Sequence, residues 1–313
     1  MRLTTVICTW NRAELLKLTL EAMTGLEIPE DVEWDLLIVD NNCTDATPDI
    51  IAAYADRLPL RSVREPRPGK SHALNRAVAE AECDYLLYTD DDVLVDSGWL
   101  RAYRDAIREF PDGVVFGGPI RPWFEGDPPR WLVEVFPRVE FAYAALDLGP
   151  EPMEITGRQS PFGANLVIRA EEQKSIRYDP NLGPRPGSGL RGEEVVLVQN
   201  LYARGCRGYW VPEATVRHYI PESRQSLAYL EDWYSGFGEY LVRRRPGPEA
   251  RSFLQRPLWL WRELVESQVR YRLKKIFGRP GMWIEELKKL AMARGRFVGY
   301  GRPPADPTDA EAP

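Results

Sequence analysis

The chain has 313 residues, of which 44% are hydrophobic and 28% charged, with a net charge of −6. That allows one large domain or two smaller ones with a sizeable core, and excludes a disordered or fibrous chain. No stretch offers the roughly 18 consecutive apolar residues of a membrane-crossing helix, and the opening MRLTTVICTWNR has too short an apolar run for a signal peptide. Cys8, Cys43, Cys83 and Cys206 lie far apart and form no CxxC pair. They read as structural thiols, which argues against a zinc cluster or disulfide scaffold and fits a reduced cytoplasmic compartment.

The charge is unevenly spread. Between Arg243 and Arg302 stand 16 Lys and Arg against 5 Asp and Glu, so an acidic body is joined to a basic C-terminal region. Such a region points to an anionic surface.

Strand and helix patterns alternate over the first 120 residues. Leu3–Thr9 is a strand, and Asn11 with Glu14 forms a capping box for a helix to about Gly25. Leu36–Asp40 is a buried strand, Thr44–Ala55 a helix, Leu60–Arg64 a strand and Ser71–Ala81 a helix. Tyr85–Thr89, the helix Trp99–Phe110 and the strand Val114–Gly117 follow. This alternation predicts an α/β fold with a largely parallel sheet covered on both faces, its ligands beyond the carboxyl ends of the strands. Asp40 and Asp90–Asp92 fall at such ends, where one crevice gathers them. Residues 121–160, broken by prolines, read as a long, partly irregular insertion. Ala164–Arg169 is a strand, Pro180–Gly192 a mobile loop, Glu194–Arg204 a helix and Thr215–Tyr219 a strand. From Leu227 onward the chain reads helical, and Pro303–Pro313 reads as a disordered tail.

The stretch YLLYTDDDV, residues 85–93, ends a buried strand in three carboxylates. Either they form a solvated turn, or a divalent metal offsets their repulsion. Hard oxygen ligands suit Mg²⁺ or Mn²⁺ and substrate phosphates. His218, just after a strand, offers a nitrogen ligand or a structural hydrogen bond; His72 reads as structural or surface. Glu193 and Glu194 open a helix, either as favourable charge at its N-terminus or with one of them as a general base. Adjacent helical residues face different directions, so only one of the two is expected to act. GKSHALNRAV, residues 69–78, lacks the first glycine of a P-loop, yet Lys70 can still meet a phosphate at a helix start. No GxGxxG follows the first strand.

Taken in order, TWNR (9–12), IVDNNCTDAT (38–47), GKSHALNRA (69–77), YLLYTDDDV, FGANLVIR (162–169), GEEVVL (192–197) and the His218–Arg224 segment resemble family-two glycosyltransferases, inverting enzymes with the GT-A fold. The resemblance covers roughly residues 3–225. It implies a Rossmann-type mixed sheet flanked by helices, with a nucleotide-sugar half over about 1–120 and an acceptor half over about 121–225. A basic helical region over 226–302 and the tail 303–313 complete the expected layout. It further implies that Thr9, Asn11 and Arg12 line the nucleotide pocket and that Asp40 receives the base, commonly uracil, or its ribose. Lys70 and Asn75 lie near the nucleotide, Asp90 approaches the ribose or a metal-bound water with Asp91 beside it, and Arg224 steadies the leaving diphosphate. Asp92, Asp90 and His218 hold Mn²⁺ or Mg²⁺, and Gly163, Ala164 and Asn165 border sugar and acceptor. Glu194 is the base, with Glu193 as the fallback. Two departures stand out: Leu74 occupies a position where many relatives carry Arg, and the pair is Glu-Glu rather than Glu-Asp.

The function this implies is metal-dependent inverting transfer of a sugar from a nucleotide-diphosphate sugar, UDP-linked in the first instance, to a hydroxyl of a lipid-linked or polysaccharide glycan. The alternative is a catalytically inactive nucleotide-sugar-binding or membrane-surface scaffold protein. A sugar-1-phosphate nucleotidyltransferase needs a Gly-rich basic loop after the first strand, which CTWNR is not. Residues 257–297 either pack an apolar stripe on the protein or lie on a membrane surface with Lys and Arg on anionic lipid. The second case places the protein in the cytoplasm at the inner face of the membrane. Nucleic acid is not expected.

Overall fold

A computed structural model describes residues 1–157, 159–184, 192–244 and 252–301. In chain order it begins β1 (Arg2–Thr9), α1 (Ala13–Met23), β2 (Glu33–Asp40), α2 (Thr47–Tyr54), β3 (Leu60–Arg64), α3 (Lys70–Glu80) and β4 (Tyr85–Asp90). It continues with β5 (Val93–Val95), α4 (Trp99–Glu109), β6 (Gly113–Gly117), β7 (Ile120–Phe124), α5 (Arg130–Val139), β8 (Met153–Ile155), β9 (Leu166–Arg169) and α6 (Ala170–Lys174). Then come α7 (Glu193–Ala203), β10 (Arg207–Trp210), β11 (Val216–Ile220), α8 (Leu227–Arg244), β12 (Ser252–Phe253), β13 (Arg256–Pro257), α9 (Leu258–Phe277) and α10 (Pro280–Tyr300). Most of the expected 180–192 loop and the 303–313 tail lie outside the described residues.

The described residues form two compact units, one of 1–123, 144–184 and 192–219, the other of 124–143 and 220–301. The first unit is built on an eight-stranded mixed sheet in the order β3-β2-β1-β4-β9-β6-β10-β8. β1 to β4 run parallel, and β9 runs antiparallel between β4 and β6. Side chains alternate between faces with the period of two that strands impose. Leu36, Ile38 and Leu87 join a core with residues of α1 and α4, whereas Leu37, Val39 and Leu86 join another with residues of α3 and α7. Burial on both faces is why these strands read as unbroken apolar runs. The chain steps β1, β2, β3 in one direction and then places β4 on the other side of β1. The strand order therefore reverses between β1 and β4, where a crevice opens at the carboxyl ends. Thr9, Asp40 and Asp90 all end their strands at this edge. Asp40 stands two strand spacings, about 10 Å, from Asp90.

Two expectations need correction. No capping box starts α1: Asn11 adopts a left-handed φ of 53° and Arg12 takes the cap position without a side-chain bond. Asp45 supplies the missing acceptor from outside the helix, taking the Ala13 N–H on Oδ2 and the Thr47 N–H on Oδ1, both at 3.1 Å. It serves two helix starts at once, which is why α2 begins at Thr47. Residues 121–160 are also more regular than their prolines imply. They contain α5, with Pro137 in its closing turn, and the edge strand β8.

α5 belongs to the second unit. Leu132, Val135 and Val139 of α5 share a core with Leu230 and Tyr234 of α8 and with Ile284 and Leu287 of α10. α8 and α10 approach closely through glycine. A methyl group on Gly238 would strike the carbonyl of Met292, and one on Gly295 would strike the carbonyl of Ser235. No helix among the described residues is long and apolar enough to cross a membrane. Because the obstruction at Gly295 is backbone, Gly295→Ala is expected to force the two helices apart and cost about 2–3 kcal/mol, read as a lower urea midpoint.

Candidate active site

The parity of β4 sends its terminal aspartates to different faces. Asp90 follows Leu86 and Tyr88 onto the side of α3 and α7, where Lys70, the first residue of α3, donates from Nζ to Oδ1 at 2.7 Å. Asp91 turns to the α1 side. Its Oδ2 accepts from the Thr9 hydroxyl at 2.8 Å, its Oδ1 from Arg12 Nη1 at 2.8 Å, and its carbonyl from the Thr19 hydroxyl at 3.0 Å. Asp92 accepts from the same Arg12 nitrogen on Oδ2 at 2.7 Å, while its Oδ1 lies 3.3 Å from His218 Nε2. Arg12 and Lys70 therefore offset part of the repulsion for which a divalent metal was one of the two expectations. Burial and the neighbouring Asp92 push the Asp91 carboxyl up to about 6 against the pull of Arg12. Burial works against the Arg12 charge, and Asp91 and Asp92 outweigh it, raising its pKa.

His218 is placed by strand pairing. β11 runs antiparallel to β5 with His218 opposite Val93, and the Tyr219 N–H donates to the Asp92 carbonyl at 2.9 Å. One ligand atom each from Asp90, Asp92 and His218 lies within 4.8 Å of the others.

Lys70 is delivered by a turn that Asn41 organises. The Asn41 amide donates to the carbonyls of Glu65 and Arg67 at 3.1 and 2.7 Å, and its Oδ1 accepts the Gly69 N–H at 2.9 Å. The described part of the 180–192 segment is tied to the same helix start. Ser71 donates its hydroxyl to the Leu182 carbonyl at 2.7 Å, and the Lys70 N–H donates to the Pro184 carbonyl at 3.1 Å.

Glu193 and Glu194 both line a small cavity with Lys70, Asp90, Cys8 and Tyr178, roughly large enough for one water. Both carboxyls reach the cavity from the first turn of α7, although the two residues are adjacent in it. The two carboxyls hydrogen-bond each other, and Oε2 of each is buried without a hydrogen-bond partner among the described residues. Such a pair needs a proton between its oxygens. Burial and Glu194 push Glu193 up to about 8 against the pull of Lys70, so the pair holds a proton at neutral pH. Burial opposes the Lys70 charge, but Asp90, Glu193 and Glu194 hold its pKa well above the ordinary value.

Other expected residues are engaged within the fold. Asn165 is fully buried and satisfied on all sides: its oxygen accepts from Trp99 and Tyr103, and its amide donates to the Pro119 and Ala214 carbonyls. It is a core amide. Ala164 is buried beside it, its carbonyl accepting from Thr89, whereas Gly163 lines the cavity. Asn75 exchanges two hydrogen bonds with the Tyr178 backbone. The Thr9 hydroxyl serves Asp91, the Asn11 oxygen accepts the Thr44 N–H at 2.7 Å, and Asp40 accepts the Cys43 N–H at 2.7 Å. Arg224 belongs to the second unit, where its carbonyl accepts from the Tyr143 hydroxyl. The sequence reading missed Asn41 and Cys8. An Asn directly after the strand-ending Asp40 is the one signal that pointed to the former.

A family profile described as glycosyl transferase family 2 matches residues 4–160, about half of the chain. The chain belongs to this family. Among curated relatives, the succinoglycan biosynthesis protein ExoM of Rhizobium meliloti is 25% identical over 228 residues, 72% of this chain and 69% of that protein. A glucosyl-dolichyl phosphate glucuronosyltransferase of Haloferax volcanii is 24% identical over 254 residues, 77% of each. Among solved structures, S. aureus TarS 1–349 in complex with UDP-GlcNAc superimposes with a TM-score of 0.55 at 16% identity, covering 95% of this chain and 92% of that one. The mannosyltransferase PcManGT of Pyrobaculum calidifontis, in complex with GDP-Man and Mn²⁺, gives 0.54 at 17% identity, covering 98% and 77%. These likenesses establish the GT-A fold of this family-2 glycosyltransferase.

The raised Glu193 carboxyl makes stability pH-dependent. The folded chain keeps a proton that the unfolded chain releases near the ordinary 4.5, so stability falls as pH rises from about 4.5 to about 8. Glu193→Gln removes that proton uptake. Urea denaturation across this range is expected to show a smaller loss of stability in the variant than in the parent.

Proposed function

We propose that the protein moves a sugar from a nucleotide-diphosphate sugar to a hydroxyl of a glycan, with inversion at the anomeric carbon and dependence on Mn²⁺ or Mg²⁺. The observation that carries this is that Asp90 belongs at once to a cation donor set with Asp92 and His218 and to a cavity lined by the Glu193–Glu194 carboxyl pair. Two carboxylates and an imidazole suit Mn²⁺, which accepts oxygen and nitrogen donors, so the residues present fit the ion. Asp90, Asp92 and His218 would hold it. A cation bound there supplies Lewis-acid stabilisation of the leaving diphosphate.

The chain's own groups do the rest. Lys70 presents positive charge at a helix start beside the cavity, where a phosphate is favoured. Asp40 reaches the base or ribose about 10 Å along the same edge. Glu193 keeps its proton and orients Glu194, which takes the proton of the acceptor hydroxyl as general base. Attack from the side opposite the leaving group inverts the anomeric carbon. A UDP-linked donor is the first candidate, since one solved neighbour holds UDP-GlcNAc. The names of the Rhizobium and Haloferax relatives favour a polysaccharide or lipid-linked acceptor.

The test is thermal unfolding with UDP, GDP and dTDP, each with and without Mn²⁺. One nucleotide is expected to stabilise the protein only with metal, by about 2.7 kcal/mol at a hundredfold excess over Kd, and Asp92→Ala is expected to abolish the effect. Glu194→Gln should keep that stabilisation and lose about 10²–10⁴-fold in transfer rate, with NMR of the parent's product showing the opposite anomer. Stabilisation without turnover would instead make the protein an inactive binder. No stabilisation at millimolar nucleotide would remove the proposal.

A further inference from the structure

α9 carries two apolar stripes and packs only one of them. Leu260, Leu264, Ser267 and Tyr271 recur every three or four residues and turn toward the core of the second unit. At about 100° per residue, Leu258, Val265, Val269, Leu273 and Ile276 fall on the opposite side of the helix. They are exposed: Val265 by 63%, Val269 by 51% and Ile276 by 71%, with Phe277 beyond them at 84%. Single exposed apolar residues are ordinary, but a continuous stripe marks an interaction surface.

Charge decides what covers it. Arg262 falls within the stripe's own arc, Arg272 borders it and Arg270 lies on its other flank, whereas Lys274 and Lys275 turn toward the packed side, onto Glu286 and the Tyr271 ring. Arg262 is 81% exposed. The acids of α9 are already matched, Glu263 with Arg296, and Glu266 with both Arg262 and Arg270. A second copy docked stripe to stripe across a two-fold axis would set these cations against themselves. An anionic bilayer accepts both features, the apolar stripe among the acyl boundary and the cations among the headgroups. Trp259 stands near one end of the 20-residue helix and Phe277 at the other, both exposed, as in a helix lying flat at headgroup level. The helix does not meet the length and apolarity of a span. We propose that α9 lies on anionic membrane surfaces through the Leu258–Ile276 stripe, making the protein a peripheral membrane protein.

Co-sedimentation of the full chain tests this, with vesicles of phosphatidylcholine alone and vesicles containing phosphatidylglycerol. The protein is expected to pellet with the anionic vesicles and stay in solution with the neutral ones. Val269→Ser combined with Ile276→Ser should lower partitioning at least about tenfold, and Arg272→Glu about fivefold or more at low salt. These positions are exposed, so circular dichroism and melting temperature are expected to stay at parent values. Equal pelleting with both vesicle types, or none, overturns the proposal. So does an unchanged partition of the double variant. Self-association in light scattering that the double variant abolishes would assign the face to a second copy and overturn it as well.

Discussion

The guanidinium of Arg12 between Asp91 and Asp92 is the contact on which the edge of the sheet depends. Two adjacent carboxylates, both nearly buried, stand at the end of a strand covered on both faces. Buried charges of one sign are tolerated only with a partner of the other. Supplying that partner sets the shape of the turn after β1. Asn11 takes a left-handed conformation that an asparagine tolerates better than most residues, and Arg12 follows at the head of α1. The cap that Asn11 would have supplied then comes from Asp45, and the Asn11 side chain is released to hold the Thr44 N–H. A turn that sequence patterning reads as a helix start is in fact shaped by charge compensation.

The same logic shows what was legible in the sequence. β1, β2, β4 and β6 were readable because burial on both faces writes them as apolar runs. β5, β8 and β10 span three or four residues, and β10 reads RGYW, with neither an apolar run nor an alternation long enough to register. α5 was hidden by Pro129, which a helix tolerates before its first residue, and by Pro137, which patterning reads as a helix breaker but which stands inside the closing turn. Within the site, the carboxylates and His218 could be named from residue type, because few chemistries gather them at strand ends. The role of Asn165 could not. A small polar residue between glycine and a strand reads the same whether its amide meets a ligand or four partners in the core, and only the placement of Trp99 and Tyr103 against it decides. Asn41 was overlooked for the opposite reason, since it acts on backbone groups more than twenty residues away along the chain.

Charge is distributed unequally across the two faces of this edge. On the α1 side Arg12 answers Asp91 and Asp92; on the α3 and α7 side Lys70 answers Asp90, Glu193 and Glu194. Five carboxyl groups thus stand against two permanent cations, and the imidazole of His218 sits against one of the five. On the second face the excess is relieved by a proton that the buried Glu193–Glu194 pair holds. That excess of carboxylate at the edge of the sheet is the electrostatic ground on which the proposed cation site of Asp90, Asp92 and His218 rests.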